Sequence, residues 1–191
     1  MYRIPEKPTL VLSRSFFYTN KIMVKLLTKS EVTGLIQSIK RNFKANDDQR
    51  AIDPLARHIQ YPKIPSILSE SIVFHLIKDK KILTDLTVLE ITSNHKIADI
   101  VLHTQGGLKK VEVKSTGKNA FQYFGEKDIK ADYLIWLHFN TLFVSEEIDF
   151  FEVFLIKNTS NYFSIPVKIN LKNVLKIVPN CNIGKFTING L

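Results

Sequence analysis

One cysteine, Cys181, stands in 191 residues. A lone thiol excludes an internal disulfide framework and fits a reducing cytosol, and nothing around it forms a cysteine-nucleophile signature. Zinc-ligand spacing of Cys and His is missing as well. The five histidines (His58, His75, His95, His103 and His138) are scattered, so each reads first as a core or surface residue; only His103, on the hairpin described below, is expected near a site. No apolar run approaches the roughly 20 residues of a membrane span. The opening Met1-Tyr-Arg-Ile-Pro lacks the basic-then-apolar order of a secretory leader, so a cytoplasmic location without a membrane partner is expected. No Gly/Ser linker, internal repeat or low-complexity tract divides the chain. Arginine is scarce: five (Arg3, Arg14, Arg41, Arg50 and Arg57) against 22 lysines.

What is present is a large apolar fraction and a strong positive charge. With 45% hydrophobic residues the chain can bury a full core, and it reads as one α/β domain over 1–191, with a core at about 64–140, an N-terminal extension over 1–63 and C-terminal strands within 141–191. The thirteen phenylalanines fit core and strand positions better than a base-stacking platform. A formal charge of +9 and a pI of about 9.5 favour a polyanionic partner, with binding that weakens steeply as salt rises. Lysine supplies point-charge contacts to phosphate, whereas arginine is the better bidentate reader of guanine. Arg41, Arg50 and Arg57 are therefore the candidates for reading a target, although a solvated surface role competes for each. They lie in or beside residues 44–50, read as a loop in which Asn46-Asp47-Asp48 breaks a helix that begins near Ser30. That helix carries Val32, Leu35, Ile36, Ile39 and Phe43 at helical spacing and Glu31 in its first turn.

The chemistry-bearing stretch runs from Asp99 through Gly106-Gly107 to Val111-Glu-Val-Lys114. It reads as a β-hairpin, because paired glycines suit the positive φ of tight turns. On a period-2 strand Glu112 and Lys114 share one face while Val111 and Val113 take the other. A two-residue turn at Gln105-Gly106 sets Asp99 opposite Glu112, and one at Gly106-Gly107 sets it opposite Lys114. Both registers gather all three side chains on one face, whereas a one-residue slip would not. Two carboxylates facing a common point suit a hard divalent cation such as Mg²⁺, with Mn²⁺ able to substitute, and a nearby lysine can offset charge that grows on a phosphoryl group. The competing reading is an ordinary amphipathic strand facing water.

Glu70 adds weight to the first reading. On a helix through residues 66–80 it shares a face with Ile67, Val73, Phe74 and Ile77, so a carboxylate interrupts an apolar stripe. Such a group needs a partner, a metal or an edge position from which it reaches water.

In this order the residues resemble the PD-(D/E)xK nuclease superfamily, the fold of most type II restriction endonucleases and of several Holliday-junction resolvases. The resemblance covers about residues 64–140: Glu70 on a helix, a strand at 88–91, Asp99, Glu112-x-Lys114, a mostly helical 119–130 and an apolar strand at 133–139. Ala98 stands where the family usually has proline. The resemblance implies a restriction-endonuclease-like mixed central β-sheet flanked by helices. It implies that Asp99 and Glu112 bind the metal, that Glu70 is an auxiliary ligand, and that Lys114 serves the attacking water. Ser115, Thr116, Lys118 and Gln122 would contact the backbone of the cut strand. Further strands are expected at 150–156, 163–169 and 174–178. Flanks of this size suggest dimerisation or sequence reading, so the expected activity is a Mg²⁺-dependent, sequence-specific endonuclease that acts on double-stranded DNA as a homodimer. The alternatives are a structure-specific or recombination/repair nuclease of the same fold, and a non-catalytic basic DNA- or RNA-binding protein.

Overall fold

The computed structural model describes residues 25–58, 61, 63–117 and 121–191. Helix α1 (Lys29–Ile52) and a short 3-10 turn (Pro54–His58) lead to α2 (Ser66–Lys78), followed by β1 (Val88–Asn94), β2 (Ala98–Thr104) and β3 (Gly107–Thr116). Then come β4 (Phe121–Phe124), α3 (Glu126–Ile129), β5 (Tyr133–His138), β6 (Phe150–Lys157), β7 (Val167–Asn170), α4 (Leu171–Ile177) and β8 (Asn182–Thr187). Six strands form one mixed sheet in the order β1-β2-β3-β5-β6-β8, in which β3 and β5 are parallel and the other neighbours antiparallel; β4 and β7 form a separate two-stranded ribbon. The chain is thus α/β, with a mixed central sheet flanked by helices. Among the described residues no helix is long and apolar enough to cross a membrane.

The side-chain alternation of β5 organises the two faces of the sheet. Ile135 and Leu137 point into a core shared with Val32, Ile36 and Ile39 of α1 and with Leu68, Ile72 and Leu76 of α2. Leu134 and Trp136 point the other way, into a second core with Phe124, Ile129, Ile169, Leu171 and Val174. A strand buried on both faces needs a continuous apolar sequence, which residues 133–139 supply. On β2 and β3 the first core takes Ile100, Leu102 and Val111, so the alternate positions are left to face the other side.

Several local expectations change. Helix α1 does not stop at Asn46-Asp47-Asp48 but runs to Ile52, so residues 44–50 are helical and not a loop. Asn and Asp cost an interior helix position only up to about 0.7 kcal/mol each, and local contacts outweigh that. Asn46 donates to the Asn42 carbonyl at 3.0 Å, Tyr61 stacks on Phe43 with centroids 4.8 Å apart, and the Tyr61 hydroxyl bonds Asp47. The start is secured by a capping box in which Thr28 and Glu31 bond each other's backbone N–H. The mostly helical stretch expected over 119–130 is not found in its described part, 121–130: β4 fills 121–124 and α3 is a single turn. Residues 174–178 lie in α4 and the Val178 cap that ends it, not in a strand, because Asn170 accepts from the Asn173 N–H at 2.8 Å and caps a helix that buries Leu171 and Val174. The strand expected from Phe163 begins only at Val167, and β8 carries no expectation from the sequence.

Candidate metal and catalytic site

The hairpin adopts the first of the two registers. Thr104 pairs with Gly107 across a Gln105-Gly106 turn, and Gly107 takes a φ of 100°, a conformation open to glycine. The ladder ends at Ile100 opposite Val111. One step further β2 and β3 part, and the continued register would set Asp99 against Glu112. Asp99 is fixed there by a side-chain bond across the gap, its Oδ2 accepting from the Val113 N–H at 2.9 Å. The two carboxylates converge on one ammonium: Lys127 Nζ lies 3.0 Å from Glu112 Oε1 and 3.4 Å from Asp99 Oδ1. Lys127 belongs to α3, the single turn that precedes β5.

Lys114 shares the strand face of Glu112, but its Nζ pairs with Asp128 Oδ1 at 2.8 Å. Asp128 is buried, and its other oxygen accepts from the Gly125 N–H at 2.8 Å, capping α3. The sequence reading expects Lys114 beside Asp99 and Glu112; the ammonium that lies there is that of Lys127, and Lys114 pairs with Asp128, the next residue of the same turn.

Glu70 arrives from α2, which packs on β2 and β3. Its side chain is only 5% exposed, and Oε2 is buried without a hydrogen-bond partner. Between Glu70 and Asp99 lies the ring of His95, from the turn joining β1 to β2. Nε2 is 3.6 Å from Glu70 Oε2 and Nδ1 is 3.8 Å from Asp99 Oδ1. Glu70, His95 and Asp99 can each offer one ligand atom with all three atoms within 4.8 Å of one another.

Crowding of negative charge in a desolvated place sets the electrostatics. Burial, reinforced by Asp99, pushes the Glu112 carboxyl up to about 7 although Lys127 opposes the change. Burial and Asp99 likewise raise Glu70, against His95 and Ser66. Burial works against the Lys127 charge, yet Glu112 and Asp99 together outweigh it and raise that ammonium's pKa. Glu112 Oε1 is buried and meets the Lys127 ammonium as a close ion pair. Glu70 Oε2 is thus a buried carboxylate oxygen stripped of water and left without a hydrogen-bond donor, and a cation is a partner that such an oxygen accepts.

The other expected residues are less involved. Thr116 is turned into the core, where Oγ1 accepts from Trp136 Nε1 at 2.8 Å and lies 3.1 Å from His138 Nδ1. Gln122 spends its amide on the Ser115 carbonyl at 2.6 Å, fastening the β4–β7 ribbon to the end of β3. Arg41 bonds Ser38 Oγ on α1, and Arg50 stacks over the Tyr61 ring at 4.0 Å. Lys118 and the side chain of Arg57 lie outside the described residues. His103 stays four residues up β2, about 13 Å along the strand from Asp99, and meets Thr92 at 3.5 Å. The sequence reading missed His95, Lys127 and Asp128. The nearest signal for the last two was the acidic and basic cluster Glu126-Lys-Asp128 directly before the buried strand, and for His95 its place four residues before Asp99.

No family model, curated protein or solved structure matches the chain.

Proposed function

We propose that this protein is a metal-dependent nuclease that hydrolyses phosphodiester bonds in DNA, built on a PD-(D/E)xK-type core. The observation that carries the reading is the meeting of Asp99 and Glu112 on Lys127 where β2 and β3 separate, beside the unpartnered Glu70 oxygen. The order of elements supports it too: a helix bearing Glu70, then β1, the Asp99 strand, the Glu112-x-Lys114 strand and, beyond α3, the parallel strand β5. Asp99, Glu112 and Glu70 would hold the cation. Such an ion, Mg²⁺ or Mn²⁺, would polarise a phosphoryl oxygen and acidify the attacking water.

The chain's own groups then divide the remaining work. Asp99, pinned by the Val113 N–H, keeps a fixed position and needs no reorganisation when substrate arrives. Lys127 carries a half-exposed positive charge beside the two acids; it offsets their repulsion before substrate binds and would turn to the phosphate as negative charge builds there. Lys114, oriented by Asp128, supplies a second ammonium on the same strand face. The +9 charge of the chain attracts the polyanion as a whole. In this reading the substrate is duplex DNA, and a restriction-type enzyme acting as a homodimer is the favoured form.

Incubation of the protein with supercoiled plasmid and Mg²⁺ or Mn²⁺ tests the proposal. Discrete linear fragments that vanish with EDTA are expected. Nicking alone, or a preference for branched DNA, would replace the restriction-type form with a structure-specific or repair nuclease, and binding without cleavage under either ion would overturn the nuclease reading.

A further inference from the structure

His95 is an exposed residue whose ring nevertheless sits between two acidic groups. Its two ring nitrogens face carboxylates from two different elements, at 3.6 Å and 3.8 Å. Those distances exceed the reach of N–H···O hydrogen bonds. What bears on a shared ion is that one nitrogen of this ring, one oxygen of Glu70 and one of Asp99 all lie within 4.8 Å of one another, close enough for a modest contraction to bring all three to bonds of about 2.1 Å on a single ion. The ring is 42% exposed, so an ion can enter from solvent past it. The second observation is the Glu70 oxygen facing it, buried and without a hydrogen-bond donor. Leaving a desolvated acceptor unmet is costly, and more so if it is charged.

The donor set also selects the ion. Mg²⁺ takes oxygen ligands and keeps several waters, whereas an imidazole nitrogen suits first-row transition ions. From this geometry we propose that His95 is a direct metal ligand together with Glu70 and Asp99, and that the site takes a divalent transition ion, with Mn²⁺ as its representative, ahead of Mg²⁺. This rests on the reading of the acid cluster as a metal site and deepens it by adding a nitrogen ligand to the carboxylates and naming the preferred ion. Glu112 and its Lys127 partner lie alongside, so the nitrogen arm of the site is separate from the ammonium arm.

The test uses the full chain with Mn²⁺ alone. Titration followed by the EPR signal of free Mn²⁺ gives its affinity, Mg²⁺ competition gives the preference, and pulsed EPR reads nitrogen coupling to the bound ion. The expected result is a nitrogen coupling in the wild type that disappears in His95→Ala, with Mn²⁺ affinity falling about tenfold or more and Mg²⁺ affinity falling less. His95→Asp, which restores an oxygen ligand, should shift the preference towards Mg²⁺ without restoring the coupling. Bound Mn²⁺ with no nitrogen coupling, or a coupling that survives in His95→Ala, would overturn imidazole ligation while leaving an all-carboxylate metal site standing. Failure of both ions to bind at millimolar concentration would overturn the metal site itself and this assignment with it.

Discussion

At the scale of single residues, the account turns on which lysine works with the acids. Lys127 touches both Asp99 and Glu112, whereas Lys114 is committed to Asp128. Lys127→Met is therefore expected to slow DNA cleavage by about 100-fold, the range seen when one charge-stabilising donor is lost. It should also tighten cation binding, because a competing positive charge has gone. Lys114→Met should cost cleavage less and leave cation affinity unchanged. Single-turnover digestion and isothermal calorimetry check the pair. Glu112 gives a pH prediction. Its carboxyl ionises near an ordinary 4.5 in the unfolded chain but at about 7 in the fold, so between those values the folded state holds the extra proton. Its contribution to stability therefore falls as pH rises from 4.5 to about 7 and stays low above. Glu112→Gln should remove that slope, so the melting temperatures of variant and wild type should diverge in the variant's favour towards neutral pH. Parallel curves would contradict the shift.

At the scale of elements, α3 is a four-residue turn that delivers two functional groups, and Asp128 holds it in place. Asp128→Ala removes the bond to the Gly125 N–H and the partner of Lys114, so a loss of about 1 kcal/mol for the cap is expected, with a further loss from the uncompensated Lys114 charge. Chemical denaturation measures it. The hairpin makes a similar prediction: Gly107→Ala forces a side chain into positive φ and should cost about 1–2 kcal/mol. These elements differ in how far they could be read from the chain. The hairpin was legible because alternation fixes which side chains share a face, and only two turn placements were compatible with the glycines. Strand β5 was legible because burial on both faces demands an unbroken apolar run. Helix α4 was not, since Val174-Leu-Lys-Ile-Val178 is short enough to suit either period, and only the Asn170 cap decides it. The extension of α1 through Asn46–Asp48 is supported by Tyr61, which lies beyond the helix and packs back on Phe43. His95 and Lys127 were hidden for the same reason: each belongs to a short connecting segment whose side-chain direction is set by tertiary packing and not by a periodic pattern.

At the scale of the whole molecule, the sheet holds two carboxylates at the parting of β2 and β3 while helices on either side bring Glu70 and Lys127 to that point. Rigid elements carry the acids, and the turn-borne His95 and Lys127 complete the group. The positive charge of the chain sets the approach of a nucleic acid: the logarithm of affinity should fall linearly with the logarithm of salt concentration, as a filter-binding or fluorescence-anisotropy series can show. Affinity and cutting should therefore separate, since lysines govern the first and carboxylates the second. The most direct measurement compares DNA binding and plasmid cleavage for the wild type and Asp99→Asn in the same buffer with Mn²⁺. Cleavage by the wild type, its loss in the variant and unweakened binding are predicted; an Asp99→Asn protein that cuts as fast as the wild type would contradict the account.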